Sequence, residues 1–118
     1  MLVCAEPTDG PDQVRRFVDK LLKLRIFADA AGRMNRSLQD TSGGLLIVSQ
    51  FTLAADTAGG NRPSFGGAAP AELGRSLYEA VLAEARARHA PVAAGRFGAQ
   101  MQLHLVNDGP VTIPLRIA

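Results

Sequence analysis

Apolar residues recur along two stretches of the chain at the period of an α-helix. After Thr8-Asp9-Gly10-Pro11, residues Val14, Phe17, Val18, Leu21 and Leu22 fall at i, i+3, i+4, i+7 and i+8, with Arg15, Arg16, Asp19, Lys20 and Lys23 on the other face. That spacing predicts an amphipathic helix with one buried stripe. Asp9 or Gly10 can cap it, and Pro11 suits the first turn, where an N–H would lack an acceptor anyway. From Pro70 onward, Leu73, Leu77, Val81 and Ala85, with Tyr78 and Leu82 beside them, predict a second helix. Gly74 weakens it by up to about 1 kcal/mol.

Other apolar stretches have the look of strands. Leu45-Leu46-Ile47-Val48 is a continuous apolar run after Gly43-Gly44. It predicts a central strand covered on both faces, leading straight into Ser49-Gln50-Phe51-Thr52-Leu53. Met1 to Ala5 reads as the tail of a strand. Met101, Leu103 and Leu105 alternate with polar neighbours, as do Val111, Ile113, Leu115 and Ile117 beyond the turn Asn107-Asp108-Gly109-Pro110. Both predict half-buried strands, the second near an edge because Pro114 cannot donate to a ladder. Residues 28–43 and 55–67 are rich in turn formers and read as loops. The expectation is a single domain over residues 1–118, of α/β or α+β class, with several strands and two main helices.

Composition sharpens this picture a little. At 118 residues, with 47% hydrophobic and 20% charged residues, the chain is an ordinary globular sequence. No apolar run approaches the roughly 20 residues of a membrane span, and no signal peptide is recognisable at Met1. The one cysteine, Cys4, excludes an internal disulfide framework and reads as a small buried hydrophobe. The cytoplasm is the expected location. The formal net charge is +2, with basic residues spread along the chain. Such a balance permits an RNA partner without pointing to one.

Candidate chemistry is sparse. The phosphate-binding glycine loop, the His-Glu-x-x-His pair and the Gly-x-Ser-x-Gly elbow are all absent from the sequence. His89 and His104 have no Asp or Cys at a matching spacing and read as structural. Ser49-Gln50-Phe51-Thr52 lies at the end of a buried strand, where α/β proteins place sites and where backbone N–H groups lose their ladder partners. Taken alone, its hydroxyls do no more than satisfy local backbone groups. Gly109-Pro110, taken alone, is an ordinary turn dipeptide, since only about 5–6% of X–Pro bonds are cis.

Taken together, these segments closely resemble the D-aminoacyl-tRNA deacylase family. The resemblance is carried by Leu24-Arg25-Ile26-Phe27, Gly32-Arg33-Met34-Asn35, Ser49-Gln50-Phe51-Thr52-Leu53, Arg62-Pro63-Ser64-Phe65, Gly95-Arg96-Phe97-Gly98-Ala99 with Met101, and Asn107-Asp108-Gly109-Pro110-Val111-Thr112. It implies that family's fold, a β-sheet or barrel-like domain with two main helices. It also implies hydrolysis of the ester between a D-amino acid and the 3′ end of tRNA, with glycyl-tRNA as a second substrate. The expected assembly is a homodimer whose site spans the subunit interface, with no cofactor, no metal and no DNA or membrane partner.

The implied roles follow residue by residue. Ser49, Gln50, Phe51 and Thr52 would form the catalytic segment, their backbone N–H groups holding the ester carbonyl while the RNA 2′-OH assists water. Gly109 and Pro110, joined by a cis bond and lent to the partner's pocket, would be the chiral selector. Phe65 and Met101, with Phe51, would pack against the terminal adenine. Two departures stand out: Ala54 replaces the family's usual Tyr, and the family's opening strand–turn–strand, with its arginine, has no counterpart ahead of Met1. The alternative expectation is therefore a non-catalytic or inactive dimeric module of the same fold.

Overall fold

The computed structural model describes all 118 residues, Met1 to Ala118. Strand β1 (Leu2–Val3) leads to helix α1 (Pro11–Lys23). Then come the short strands β2 (Phe27–Ala28) and β3 (Met34–Arg36), helix α2 (Leu38–Thr41) and strand β4 (Leu45–Ser49). A 3-10 turn covers Phe51–Ala54, and helix α3 (Ala71–Arg88) and strand β5 (Val92–Ala94) complete the order. The main sheet is all parallel, in the order β1-β4-β5, while β2 and β3 form a separate antiparallel hairpin.

Both predicted helices form, for the predicted reason. Val14, Val18 and Leu22 of α1 meet Leu77, Val81, Leu82 and Ala85 of α3, and this seam rests on Leu45 and Ile47 of β4. Leu22, Val18 and Ile47 are fully enclosed. Enclosing a side chain the size of leucine contributes about 1.5–3 kcal/mol. Gly10 is the N-cap of α1, and the Gln13 side chain reaches back to accept from its backbone N–H at 3.1 Å. Lys23 and Arg88 both contact the Asp19 carboxylate, at 2.7 and 2.6 Å, and so tie the end of α1 to the end of α3. Gly74 leaves room for Phe97, whose ring would stand 3.5 Å from a Cβ placed there.

The chain is of mixed α/β class with two main helices, as expected. Three features of the reading are corrected. First, β4 is not covered on both faces. Its helix-facing residues Leu45 and Ile47 are buried, but Leu46, on the opposite face, is 44% exposed, so the helices stand on one side only. Second, residues 28–43 are not simply loop. They hold the β2–β3 hairpin and α2, which is capped by the Ser37 hydroxyl and the Asp40 carboxylate bonding reciprocally to each other's backbone N–H. Third, the alternating segments at 101–105 and 111–117 form no strands, and the main sheet has three strands. Alternation equips a segment for a sheet, but a ladder also needs a partner strand, and no strand of the chain pairs with either segment.

The final segment is instead held by side chains. Arg116 grips the Glu6 carboxylate with two nitrogens, at 2.8 and 3.2 Å, and Arg16 donates to the Ala118 oxygen at 2.9 Å. The radius of gyration is 15.2 Å. A compact chain of this length would reach about 13.5 Å, so the molecule is more extended than a closed globule. Leu105 and Val106 are 71% and 92% exposed.

Candidate active site

Strand β4 delivers the Ser-Gln-Phe-Thr segment to one end of the parallel sheet. Val3 pairs with Ser49, and the Gln50 N–H donates to the Val3 carbonyl at 2.8 Å, the last ladder bond on that side. The chain then tightens into the 3-10 turn, with Leu53 N–H donating to Gln50 and Ala55 N–H to Thr52. The amides of Phe51 and Thr52 stand at the head of that turn, where helical N–H groups have no intrahelical acceptor. The Gln50 amide donates to the Thr52 hydroxyl at 2.5 Å, fixing both side chains at the mouth of the turn.

Phe51 is 56% exposed, and its ring meets Phe65 edge-on with centroids 5.1 Å apart. Phe65 arrives on the loop after Leu53, which folds back because Asp56 and Ser64 exchange two backbone hydrogen bonds, at 2.7 and 2.9 Å. Edge-to-face geometry is favoured by the ring quadrupoles. The pair still leaves a large part of both rings in water.

Met101 lies elsewhere. Its sulfur accepts from the Arg96 N–H at 3.4 Å and would stand 2.9 Å from a Cβ on Gly95. The same Cβ would touch Val48, the residue preceding Ser49, so Gly95 stands between Met101 and β4. Tyr78 secures that corner from below: its hydroxyl donates to the Ile47 carbonyl at 2.9 Å, with the Gly95 carbonyl at 3.3 Å. Burial pushes the Tyr78 phenol above its ordinary pKa.

Gly109 and Pro110 are joined by a cis peptide and are exposed. Within one chain no hydrogen bond links them to residues 49–52. Of the residues singled out from the sequence, then, Ser49, Gln50, Phe51, Thr52 and Phe65 form one cluster and Met101 borders it. Gly109 and Pro110 are not bonded to it.

Of two other groups, Cys4 departs from its expected burial and His89 keeps its expected structural role. Cys4 is half-buried, not buried. Its thiol lies 3.3 Å from the Ala5 carbonyl and 3.6 Å from that of Phe51. Desolvation pushes its pKa up, and the Glu6 carboxylate adds to the effect. His89 caps α3, with its Nε2 at 2.7 Å from the Gly43 carbonyl. The Phe51–Phe65 contact and the Tyr78 anchor escaped the sequence reading, since neither pairing follows from spacing along the chain.

Relatives share this architecture and most of this sequence. A D-aminoacyl-tRNA deacylase of Azoarcus sp. (strain BH72) is 69% identical over 116 residues, covering 98% of this chain and 77% of that protein. One from Paracidovorax citrulli (strain AAC00-1) is 68% identical over the whole of this chain and 76% of its own length. Among solved structures, a "c-Myc DNA Unwinding Element Binding Protein" superposes with a TM-score of 0.88 at 38% identity, covering 95% of this chain and 76% of that one. A probable eukaryotic D-amino acid tRNA deacylase, at 18% identity and a TM-score of 0.76, shares the fold. The family described as D-Tyr-tRNA(Tyr) deacylase matches residues 1–116, and with relatives this similar the chain belongs to it.

Proposed function

We propose that this chain is a D-aminoacyl-tRNA deacylase, hydrolysing the ester that joins a D-amino acid to the 3′ end of tRNA and so proofreading chirality in translation, in the cytoplasm. The observation that carries the reading is the intact Ser-Gln-Phe-Thr segment at the open end of a parallel strand, beside an exposed aromatic pair, in a member of that family. Water adds to the ester carbonyl carbon. The developing oxyanion is met by the backbone N–H groups of Phe51 and Thr52, and donors so placed can each be worth several kcal/mol in hydrolases. The bond to the ribose oxygen then breaks, the leaving alcohol takes a proton, and the products are a free amino acid and uncharged tRNA. The substrate's own 2′-OH helps orient the water.

Each side chain has a task in this scheme. Ser49 and Gln50 shape the wall of the pocket. Thr52, held by Gln50, positions the ester and is not a nucleophile. Phe51 and Phe65 offer the terminal adenine a surface to stack on, and Met101 closes the side toward β5. Stacking on apolar rings is the usual way to hold a single-stranded end. Gly109 and Pro110 act in the partner's pocket of a homodimer, which accords with the lack of any hydrogen bond from them to this chain's own cluster. Their backbone stands where an L side chain would point and passes a D side chain. Glycine has no side chain to exclude, so glycyl-tRNA is cleaved as well.

The test is hydrolysis of D-tyrosyl-, L-tyrosyl- and glycyl-tRNA by the purified protein. Release of the D-amino acid and of glycine, with the L-ester spared, is the expected result. An L-ester cleaved as fast as the D-ester would remove Gly109 and Pro110 as the selector. Binding of tRNA without turnover of any ester would mark a non-catalytic module instead.

A further inference from the structure

We propose that Arg62 binds a backbone phosphate of the tRNA 3′ strand, just upstream of the nucleotide whose base rests on Phe51 and Phe65. The inference builds on the deacylase reading and adds a second anchoring point to it.

Six of the thirteen basic side chains face a carboxylate or an aromatic ring. Arg15, Arg16, Lys23, Arg88 and Arg116 each face a carboxylate, and Arg75 lies over the Phe97 ring. Arg62 has no carboxylate within ion-pair distance and is exposed. The one acid on its loop, Asp56, makes no ion pair and accepts the Ala58 N–H at 2.9 Å. The loop is pinned at its base by the Asp56–Ser64 bridge, so Arg62 is presented from a closed hairpin.

Position completes the argument. Arg62 precedes Phe65 by three residues, so their Cα atoms are at most about 10–11 Å apart. A guanidinium on that loop therefore reaches beside a base stacked on Phe65. The terminal nucleotide carries one phosphate, on its 5′ side, where it joins the preceding nucleotide. A planar fork of N–H donors matches phosphate oxygens, and the attraction is strongest where no carboxylate competes. The overall charge of +2 made no case for RNA; one unpaired cation beside an aromatic platform does.

Two substrates separate the phosphate contact from everything else: D-tyrosyl-tRNA, and D-tyrosine esterified to adenosine, which has no phosphate. For Arg62→Ala the expected result is a KM for the tRNA raised about tenfold with kcat held, and cleavage of the adenosine ester within twofold of wild type. Arg62→Lys restores most of the loss, because the charge is kept. The slope of log(kcat/KM) against log salt becomes shallower by about 0.7 in Arg62→Ala, the share of one single-strand phosphate. Equal slowing of both substrates would overturn the proposal in favour of a structural role. Unchanged tRNA kinetics in Arg62→Ala, with wild type active on both substrates, would overturn the phosphate contact and leave the deacylase reading intact. Wild type inactive on both would overturn the deacylase reading and this proposal with it.

Discussion

At Gly109 the backbone leaves no room for a side chain. A Cβ built there collides with the backbone nitrogen of Val111 and comes within 3.3 Å of the Asn107 side-chain nitrogen. One obstacle is main chain, which cannot swing aside as a flexible side chain would. Gly95 offers the contrast: its nearest obstacle is the Met101 sulfur, the far end of a mobile side chain. Gly109→Ala must therefore shift the Asn107–Val111 turn itself. Misplacement of about 1 Å in a positioning group can cost 100-fold in rate. Under the proposed mechanism, Gly109→Ala lowers kcat/KM for D-aminoacyl-tRNA by about 10- to 100-fold, while its thermal midpoint stays close to wild type because the turn is exposed. Steady-state kinetics beside a melting curve checks both halves. Wild-type kinetics in this variant would remove the turn from the reaction.

Elements were legible in the sequence to the degree that their cause is local. The α1 and α3 stripes are read from periodicity because one face of each helix meets one core. Strand β5 was not anticipated: Val92-Ala93-Ala94 is three residues of small side chains, and only its parallel pairing with Leu45–Ile47 makes it a strand. The converse error occurred at Met101–Leu105, where alternation is present and a partner edge is not. The cluster at Ser49–Thr52 was found through family likeness. Its internal contacts, such as Phe51 on Phe65, are set by a loop closure that no residue spacing announces.

The carboxylates at the joints between these elements predict a dependence of stability on acid. Asp19 has its pKa held below the ordinary carboxylate value, first by Lys23 and then by Arg88, where α1 meets α3. Asp40 is lowered by the Ser37 backbone N–H at the start of α2, and Asp29 by the Arg33 backbone N–H in the β2–β3 turn. A carboxyl with a depressed folded pKa binds protons more readily in the unfolded chain. Its contribution is complete above the unfolded value, about 3.9 for aspartate, and disappears as pH falls through the folded pKa. The thermal midpoint is expected to change little from pH 7 to about 5 and to fall steeply below about 4. Asp19→Asn should flatten part of that fall. A midpoint constant from pH 6 to pH 3 would show that these contacts contribute nothing to stability.

At the scale of the whole molecule, the residues proposed for selection and those proposed for hydrolysis share no hydrogen bond within one chain. In the proposed homodimer, a two-fold interface would present each turn to the other's cluster. The exposed apolar side chains of Leu103, Leu105, Val106 and Ile113, on the segments flanking that turn, would gain cover in such a pair. Complementation tests the arrangement directly. Gly109→Ala and a variant disabled in the other half, Thr52→Ala, are each expected to be impaired alone. Unfolded together in equal amounts and refolded, they pair at random, and about half of the dimers are mixed. Each mixed dimer joins one unaltered Ser-Gln-Phe-Thr segment to one unaltered Gly-Pro turn and combines both substitutions at its second site. About a quarter of wild-type activity should then return. If each chain carried a complete site of its own, mixing would restore nothing, and activity would stay at the mean of the two variants.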